Sequence, residues 1–217
     1  DGIGADGLIV IVPHAQYDFE WQFYNSDGST AEMCGNGTRA CAHYAFTNDL
    51  ASEKMSFLTQ AGVINAEVEV KDDNSAMVMS ELTPPNILYK AVEDDGISWW
   101  KIDTGVPHLV SFTKNIEEFD IDEARALRYE YNANVNITCI DGKNLKVRTY
   151  ERGVEDETLA CGTGMAACFY RAYIEKKVAN NIEVYPRSGD TLYLGMNDKT
   201  ITFRGRVKKT FETDWVL

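Results

Sequence analysis

A cysteine-containing motif occurs twice in this chain, and its recurrence most limits what the chain can fold into. Residues 34–41 read CGNGTRAC and residues 161–168 read CGTGMAAC, so both copies follow the pattern Cys-Gly-x-Gly-x-x-Ala-Cys. An aromatic segment typical of a strand lies upstream of each copy, and a run typical of a helix follows it. The repeat therefore predicts two related halves, each with a helix that begins at its motif.

A single copy already predicts reactive sulfur chemistry. A cysteine before Gly-x-Gly at a helix start lies among backbone N–H groups that have no partner within the helix. These groups and the helix dipole favour thiolate over thiol, and they can hold a carboxylate or phosphate. Cys34 and Cys161 are therefore predicted to be activated thiols beside anion-binding helix starts.

The two copies together predict an inversion of configuration. If the helix starts face each other across a cleft, one sulfur lies on each side of a bound carboxylate ligand. One thiolate removes a Cα proton while the opposite thiol delivers a proton to the other face, and both helix starts stabilise the developing negative charge. This scheme requires no cofactor. The alternatives from another class are a thiol oxidoreductase and a cysteine hydrolase.

Composition excludes several other classes. The chain has 217 residues, enough for one large domain or two small ones. Its formal net charge of −13 argues against nucleic acid as a partner, and no apolar run approaches the roughly 18 residues that span a bilayer. Five cysteines without a C-x-x-C pair indicate reduced thiols in a cytoplasm, and with only three histidines we expect no metal site. Because the chain begins at Asp1 and not at Met, we expect a further amino-terminal segment.

Periodicity and turn residues predict a strand-rich chain with two main helices. The helices are predicted over residues 36–48 and 162–177, with a shorter one near 122–130. A hairpin is predicted about Asp141-Gly142, between strands 135–140 and 145–150. The other predicted strands are 8–12, 17–25, 55–60, 63–70, 76–82, 97–103, 109–113, 182–185, 191–194, 200–203 and 207–211.

The remaining cysteines and one histidine are predicted to be structural. Cys41 and Cys168 lie two helical turns after the motif cysteines, and we expect them to be buried as small hydrophobic residues. Cys139, in the apolar segment VNITCI, is also predicted to lie in the core, and His43 is expected to be structural or at the surface.

Three further residues have both a structural and a functional interpretation. His108 follows Gly-Val-Pro at a rigid corner before a strand, where it is either a structural histidine or part of a site. Glu151 and Arg152 end a strand, where they form either a surface ion pair or a clamp for an amino-acid substrate. In the clamp, arginine holds the carboxylate and glutamate holds the ammonium group.

The segments NSDGSTAEMCGNGTRA, TGVPHLV, NVNIT and RTYERGVEDETLACGTG together resemble diaminopimelate epimerases across almost the whole chain. The resemblance implies an α/β fold of the α+β type, with two pseudo-symmetric domains, each a mainly antiparallel sheet curled around a central helix. Residues 1–97, completed by 205–217, would form one domain, and residues 98–204 the other.

The resemblance also implies an activity. It implies a cofactor-independent epimerase that interconverts LL- and meso-diaminopimelate in bacterial lysine and peptidoglycan precursor biosynthesis, commonly as a homodimer. A racemase of another amino acid on the same fold remains the alternative.

Site residues follow from the resemblance position by position. Cys34 and Cys161 match the acid/base pair, and His108 and Glu151 match the residues that tune the thiols. The positions that match substrate-binding residues are Asn25, Gly35, Asn36, Asn136, Glu151, Arg152, Gly162 and Thr163, of which Asn25 and Asn136 come from the resemblance alone.

The chain departs from the family pattern at three points, of which the first agrees with the expected further amino-terminal segment. The family's amino-terminal G-x-x-N-D-F segment is absent, Gly7 stands where some members have Gln, and Val106 stands where Asn is common. Because a missing amide removes a specificity hydrogen bond, we expect changed contacts at the distal end of the substrate.

Overall fold

The computed structural model describes residues 5, 7–26, 28–30, 33–72, 75–94 and 96–213. Among them are three helices, α1 (Gly35–Thr47), α2 (Ile121–Tyr131) and α3 (Gly162–Ile174). The strands are β1 (Gly7–Val12), β2 (Phe19–Asn25), β3 (Lys54–Thr59), β4 (Gly62–Asp72), β5 (Ser75–Glu81), β6 (Asn86–Asp94), β7 (Ile97–Asp103), β8 (Pro107–Phe112), β9 (Asn134–Asp141), β10 (Asn144–Glu151), β11 (Asp156–Thr158), β12 (Asn181–Tyr185), β13 (Leu192–Asn197) and β14 (Thr200–Lys208). By backbone packing the chain divides into unit 1, residues 1–80 and 204–217, and unit 2, residues 81–203.

In unit 1 a mainly antiparallel sheet carries α1. Its strand order is β1-β2-β3-β4-β5, followed by the carboxy-terminal part of β14, and the β2–β3 pair is parallel. A Cβ atom at Gly37 would lie 3.2–3.3 Å from side-chain atoms of Ile9, Trp21 and Phe23. Glycine at this position therefore lets the first turn of α1 lie directly on the aromatic face of β1 and β2.

In unit 2 the strand order begins with the first part of β14 and continues as β13-β12-β10-β9-β8-β7-β6. The short strand β11 pairs with β10 outside this order. The β8–β9 and β10–β12 pairs are parallel, and the other pairs of described register are antiparallel. Helix α3 packs on β7 to β10, whereas α2 packs on β9, β10 and β11. Because ten of the 13 residues of α3 are buried, α3 is the central helix of this unit.

Local signals explain where the helices of unit 2 begin and end. The Asp120 side chain caps α2 by accepting hydrogen bonds from the backbone N–H groups of Asp122 and Glu123, and Asn132 ends the helix at φ 46. Helix α3 ends at Ile174, before the predicted residue 177, because Lys176 adopts a left-handed φ of 58. A cluster of buried side chains lies under α2, including Trp99, Leu109, Leu127, Val135 and Tyr150.

The predicted fold class is confirmed. Both units combine a mainly antiparallel sheet with a helix that starts directly after its motif cysteine, and the hairpin of β9 and β10 closes between Asp141 and Asn144. No helix in the described part of the chain is long and apolar enough to cross a membrane.

Three strand predictions are wrong. The sequence predicts no strand over residues 86–94 or 156–158, where β6 and β11 lie. Register shifts between β6 and β7 interrupt the alternation that marks a strand in sequence. In place of the two strands predicted over 200–203 and 207–211 there is one strand, β14, which runs from Thr200 to Lys208 and does not include residues 209–211.

The predicted division at residues 97 and 98 differs from the packing units, because unit 2 contains all of β6. The division of the chain into two domains at residues 97 and 98 stays a prediction. The predictions drawn from residues 1–4 fall outside the described residues.

Candidate active site

Helix α1 begins at Cys34, which is its N-cap residue. Cys34 has extended backbone angles, φ −147 and ψ 111, and its Sγ accepts a hydrogen bond from Gly37 N at 3.3 Å. Its carbonyl oxygen accepts from Thr38 N at 2.8 Å and from the Thr38 hydroxyl at 2.7 Å. A backbone N–H that donates to sulfur at a helix start stabilises negative charge on that sulfur.

A buried arginine orients the first turn of α1. Arg39 donates to the Gly35 carbonyl at 3.2 Å and to Asn36 Oδ1 at 2.8 Å, and only 5% of its surface is exposed. Because Oδ1 faces the guanidinium, the amide nitrogen of the exposed Asn36 side chain is directed away from it. Asn36 can therefore donate to a carboxylate at the helix start. The second motif has Ala166 at the position of Arg39, so the two helix starts are not chemically equivalent.

Helix α3 begins at Cys161, which is also the N-cap residue. Cys161 has φ −118 and ψ 109, and its Sγ lies 3.5 Å from Thr163 Oγ1. The Thr163 hydroxyl lies 3.0 Å from His108 Nε2, and the Thr163 carbonyl accepts from the Thr104 hydroxyl at 2.9 Å. The sulfur of the second motif is thus adjacent to a hydroxyl that is itself held by a histidine.

His108 lies inside β8 and is fully buried. The prediction of a corner before a strand is wrong, because β8 already starts at Pro107. Burial lowers the pKa of His108 to about 3, with an opposing effect from its hydrogen bond with Asn136 and a further lowering from the charge of Arg152. The imidazole is therefore neutral near pH 7 and can donate from one ring nitrogen only.

Asn136 lies on β9 and has no exposed surface. Its Nδ2 lies 3.1 Å from His108 Nδ1 and 2.9 Å from the Leu109 carbonyl, and its Oδ1 accepts from the Thr149 hydroxyl at 2.8 Å. The amide is thus engaged within unit 2, and its predicted contact with substrate stays a prediction.

Arg152 lies next to the His108 segment. Its backbone N–H donates to Asn134 Oδ1 at 2.8 Å, and Asn134 Nδ2 donates to the Pro107 carbonyl at 3.2 Å. Its guanidinium donates to the carbonyl of Asn132 at 3.1 Å. Glu151 is the half-buried last residue of β10. Unit 2 thus brings His108, Asn136, Arg152, Gly162 and Thr163 together around the start of α3.

Asn25 ends β2 in unit 1, and its side chain has a local partner. Its Nδ2 donates to Ser29 Oγ at 3.0 Å, across a turn in which Gly28 has φ 84. A cavity of about 410 Å³ runs along β2 and β3 and is lined in part by Trp21 and Phe23. None of the predicted site residues lines this cavity.

The other cysteines divide into buried and half-buried residues. Cys41 and Cys168 are 3% and 0% exposed, as predicted, and burial raises the pKa of Cys41 to about 12. Cys139 is half-buried near the end of β9, so its predicted core position is wrong. All five cysteines are described, and none forms a disulfide.

His43 is buried, and burial lowers its pKa. Within the described ranges, no group of three or more His, Cys, Asp or Glu residues could hold a metal ion.

Sequence reasoning did not single out Thr104, Asn134 and Thr149, which contact the predicted residues. One signal was available for Asn134, because Asn134, Asn136 and Thr138 are polar at alternate positions of an otherwise apolar strand. Such a pattern in a buried central strand indicates a polar network. Thr104 and Thr149 have no comparable signal.

Solved structures with the same fold are remote in sequence. A probable proline racemase from Agrobacterium radiobacter has a TM-score of 0.72 at 14% identity, covering 95% of this chain and 76% of that one. A PhzF-family phenazine biosynthesis protein from Bacillus anthracis has a TM-score of 0.71 at 15% identity, and the match covers 95% of this chain and 83% of that one. Both structures share the fold of this chain, in which a helix begins directly after each motif cysteine.

The family model for diaminopimelate epimerase matches residues 1–88 and 100–209. The chain therefore belongs to the diaminopimelate epimerase family, and it is an isomerase.

Relatives named diaminopimelate epimerase cover nearly all of the chain. The one from a Nitratiruptor species is 59% identical over 214 residues, which are 98% of this chain and 84% of that protein. A relative from Campylobacter jejuni is 50% identical over 216 residues, which are 99% of this chain and 85% of that protein. One from Helicobacter pylori is 40% identical, and the match covers 96% of this chain and 81% of that protein.

Proposed function

We propose that the protein interconverts LL- and meso-diaminopimelate by removing the Cα proton from one face and delivering a proton to the other. The observation that carries this proposal is the equivalent position of two sulfurs. Cys34 and Cys161 are each the N-cap residue of a helix, and a backbone N–H donates to the first sulfur while a hydroxyl lies 3.5 Å from the second. Family membership supports diaminopimelate as the substrate.

In the proposed reaction the two cysteines exchange roles between directions. For one isomer the Cys161 thiolate takes the Cα proton and the Cys34 thiol supplies a proton, and for the other isomer the reverse occurs. The Gly37 N–H stabilises charge on Cys34, and the Thr163 hydroxyl stabilises charge on Cys161. Each proton transfer to or from a placed side chain accelerates a reaction by about 10²–10⁴-fold.

The substrate carboxylate is proposed to accept hydrogen bonds from the helix starts. The donors are the backbone N–H groups at Gly35, Gly162 and Thr163 and the side chain of Asn36, and they counter the negative charge that spreads onto the carboxylate as the Cα proton leaves. Because this charge grows in the transition state, these donors lower the barrier as well as bind the substrate.

The remaining proposed contacts are polar. Arg152, with Glu151, is proposed to hold the charged groups of the substrate, and Asn25 and Asn136 are proposed to contact it. His108 and Glu151 are proposed to tune the thiols. The scheme needs no cofactor. We further propose a cytoplasmic homodimer that acts in bacterial lysine and peptidoglycan precursor biosynthesis.

The proposal is tested by incubation with LL-diaminopimelate in deuterated water, followed by NMR at Cα. We expect deuterium to enter Cα together with conversion to the meso isomer. Cys34→Ala and Cys161→Ala should each reduce epimerisation by about 10²–10⁴-fold. Since each variant keeps one thiol, slow exchange without inversion should remain for one isomer only, and the two variants should differ in which isomer it is.

Cys139→Ala is the matched control, because Cys139 lies on β9 and is half-buried. It should keep wild-type epimerisation. Full epimerisation in either Cys34→Ala or Cys161→Ala would contradict the two-thiol scheme. If the wild-type protein exchanges no Cα proton in any amino acid, a hydrolase or an oxidoreductase is the alternative. Exchange into another amino acid but not into diaminopimelate would identify a racemase of different specificity.

A further inference from the structure

A chain of hydrogen bonds connects Thr149 on β10 to the sulfur of Cys161. The Thr149 hydroxyl contacts Asn136 Oδ1 at 2.8 Å, and Asn136 Nδ2 contacts His108 Nδ1 at 3.1 Å. His108 Nε2 contacts Thr163 Oγ1 at 3.0 Å, which lies 3.5 Å from Cys161 Sγ. All five residues are at most 7% exposed, so water does not compete strongly for these groups.

The Leu109 carbonyl determines the direction of the first bonds. It can only accept, and it lies 2.9 Å from Asn136 Nδ2, so the amide nitrogen must face it. The second hydrogen of the same nitrogen is directed at His108 Nδ1. Because a donor faces Nδ1, that nitrogen carries a lone pair, and the proton of the neutral ring is on Nε2.

The remaining bonds follow from this tautomer. His108 Nε2–H donates to Thr163 Oγ1, which leaves the hydrogen of the Thr163 hydroxyl available for another acceptor. The acceptor within reach is Cys161 Sγ. A hydroxyl that donates to sulfur favours the thiolate form, because hydrogen bonds to a charged acceptor are stronger than those to a neutral one.

Thr149 holds the opposite end of the amide. Its hydroxyl hydrogen is directed at Asn136 Oδ1, and the absence of a side chain at Gly164 lets the start of α3 lie directly over that oxygen. An amide rotated by half a turn would place Oδ1 against the Leu109 carbonyl and the nitrogen against Thr149. The Thr149 hydroxyl therefore stabilises the orientation that Leu109 requires.

We propose that Thr149 is a positioning residue for Cys161: it holds the Asn136 amide in the orientation that keeps the His108 proton on Nε2 and the Thr163 hydroxyl donating to the sulfur. The consequence for catalysis rests on the proposed function, whereas the effect on the thiol does not. The effect is specific for Cys161, because Cys34 receives its donor from the backbone of Gly37. Ionisable groups near this chain include Arg152, whose charge lowers the pKa of His108, and Cys168, whose pKa is raised by burial and further by Cys161.

The test is the rate of alkylation of individual cysteines by iodoacetamide at pH 7, followed by peptide mass spectrometry. Thr149→Val keeps the side-chain shape and removes the hydroxyl. We expect the Cys161 rate to fall roughly two- to tenfold, the effect of one intramolecular hydrogen bond, while the Cys34 rate stays unchanged. Thr149→Ser should restore the wild-type rate, because it restores the donor.

Thr138→Val is the matched control. Thr138 is also fully buried on the same hairpin, but its hydroxyl donates to the Lys146 carbonyl at 2.9 Å and has no part in the chain to Cys161. It should leave the Cys161 rate at the wild-type value. Equal rates for Thr149→Val and wild type, or an equal fall in the Thr138→Val control, would overturn the proposal.

A second measurement needs no variant. The protein has three histidines, so ¹⁵N-labelled histidine allows the tautomer of His108 to be assigned by NMR. We expect protonation at Nε2, and protonation at Nδ1 would refute the chain of donors.

Epimerisation assays separate this proposal from the proposed function. If both hold, Thr149→Val lowers kcat with little change in KM, and its activity recovers at higher pH. If wild-type protein exchanges no Cα proton in diaminopimelate, the proposed function fails, while the alkylation and NMR results still decide the role of Thr149.

Discussion

Replacing Gly164 with alanine should destabilise the protein, although alanine is the better helix former. Gly164 lies in the first turn of α3, where an added Cβ would be less than 3.0 Å from Asn136 Oδ1 and 3.1 Å from Thr149 Oγ1. Real Cβ atoms essentially never approach another heavy atom so closely. Asn136 cannot turn away without losing its bonds to His108 and Leu109.

The expected magnitude follows from three opposing contributions. Overpacking a buried site costs about 1–3 kcal/mol, and disrupting one or two buried hydrogen bonds adds about 1 kcal/mol each. The gain in helix propensity from glycine to alanine offsets about 1 kcal/mol. The free energy of unfolding should therefore fall by about 1–4 kcal/mol, which corresponds to a Tm lower by roughly 2–16 °C for a chain of this size.

Urea unfolding followed by circular dichroism measures this loss, and Gly37→Ala is the matched control. In the first motif an added Cβ would lie 3.2–3.3 Å from Ile9, Trp21 and Phe23, so only a shift of a few tenths of an ångström is needed. Gly37→Ala should therefore cost less than Gly164→Ala. The double variant Asn136→Ala/Gly164→Ala should lose less stability than the sum of the two single variants, because it removes the clash.

A Gly164→Ala protein as stable as wild type would refute the reasoning. It would mean that the start of α3 does not lie against the Asn136 amide, and the assignment of the hydrogen-bond chain would fail with it. Additive effects in the double variant would lead to the same conclusion.

Two further predictions concern stability. The ordinary pKa of histidine is about 6.5 and that of buried His108 is about 3, so the unfolded chain takes up a proton first as the pH falls. The stabilisation from this group is complete above pH 6.5 and is lost between pH 6.5 and 3, by up to about 1.4 kcal/mol per pH unit. His108→Gln should show a shallower decline between pH 6 and 4 in urea titrations, and identical slopes would contradict the buried neutral state. Asp120→Ala should cost about 1 kcal/mol because it removes the cap of α2, whereas Asp120→Asn should retain most of the stability; equal losses in the two variants would show that the cap is not the cause.

Some structural features could be predicted because their signals are local. The two Cys-Gly-x-Gly segments predict helix starts, since only nearby residues are needed for a cysteine N-cap and a glycine-rich first turn. Asp141-Gly142 predicts the hairpin for the same reason. In contrast, the sequence does not predict β6, because the pairing of β6 with β7 is irregular. Cys139 is also less buried than its apolar neighbours in the sequence suggest.

The surroundings of His108 could not be predicted in this way. A histidine after Gly-Val-Pro is compatible with a corner, a strand or a surface loop, and its partners come from β9 and α3, far away in sequence. Nor does any pattern in the segment RTY indicate that Thr149 contacts Asn136, since a threonine on a strand is ordinary.

The sequence by itself determined the two-fold motif and the helix that begins at each copy, because both depend on residue types at fixed spacing, and the resemblance of its motifs to a family implied the fold class. The tertiary structure decided how the second sulfur is surrounded. Pairing of β8, β9 and β10 under the start of α3 brings together four side chains that no local pattern connects, and burial there strengthens their hydrogen bonds and keeps His108 neutral.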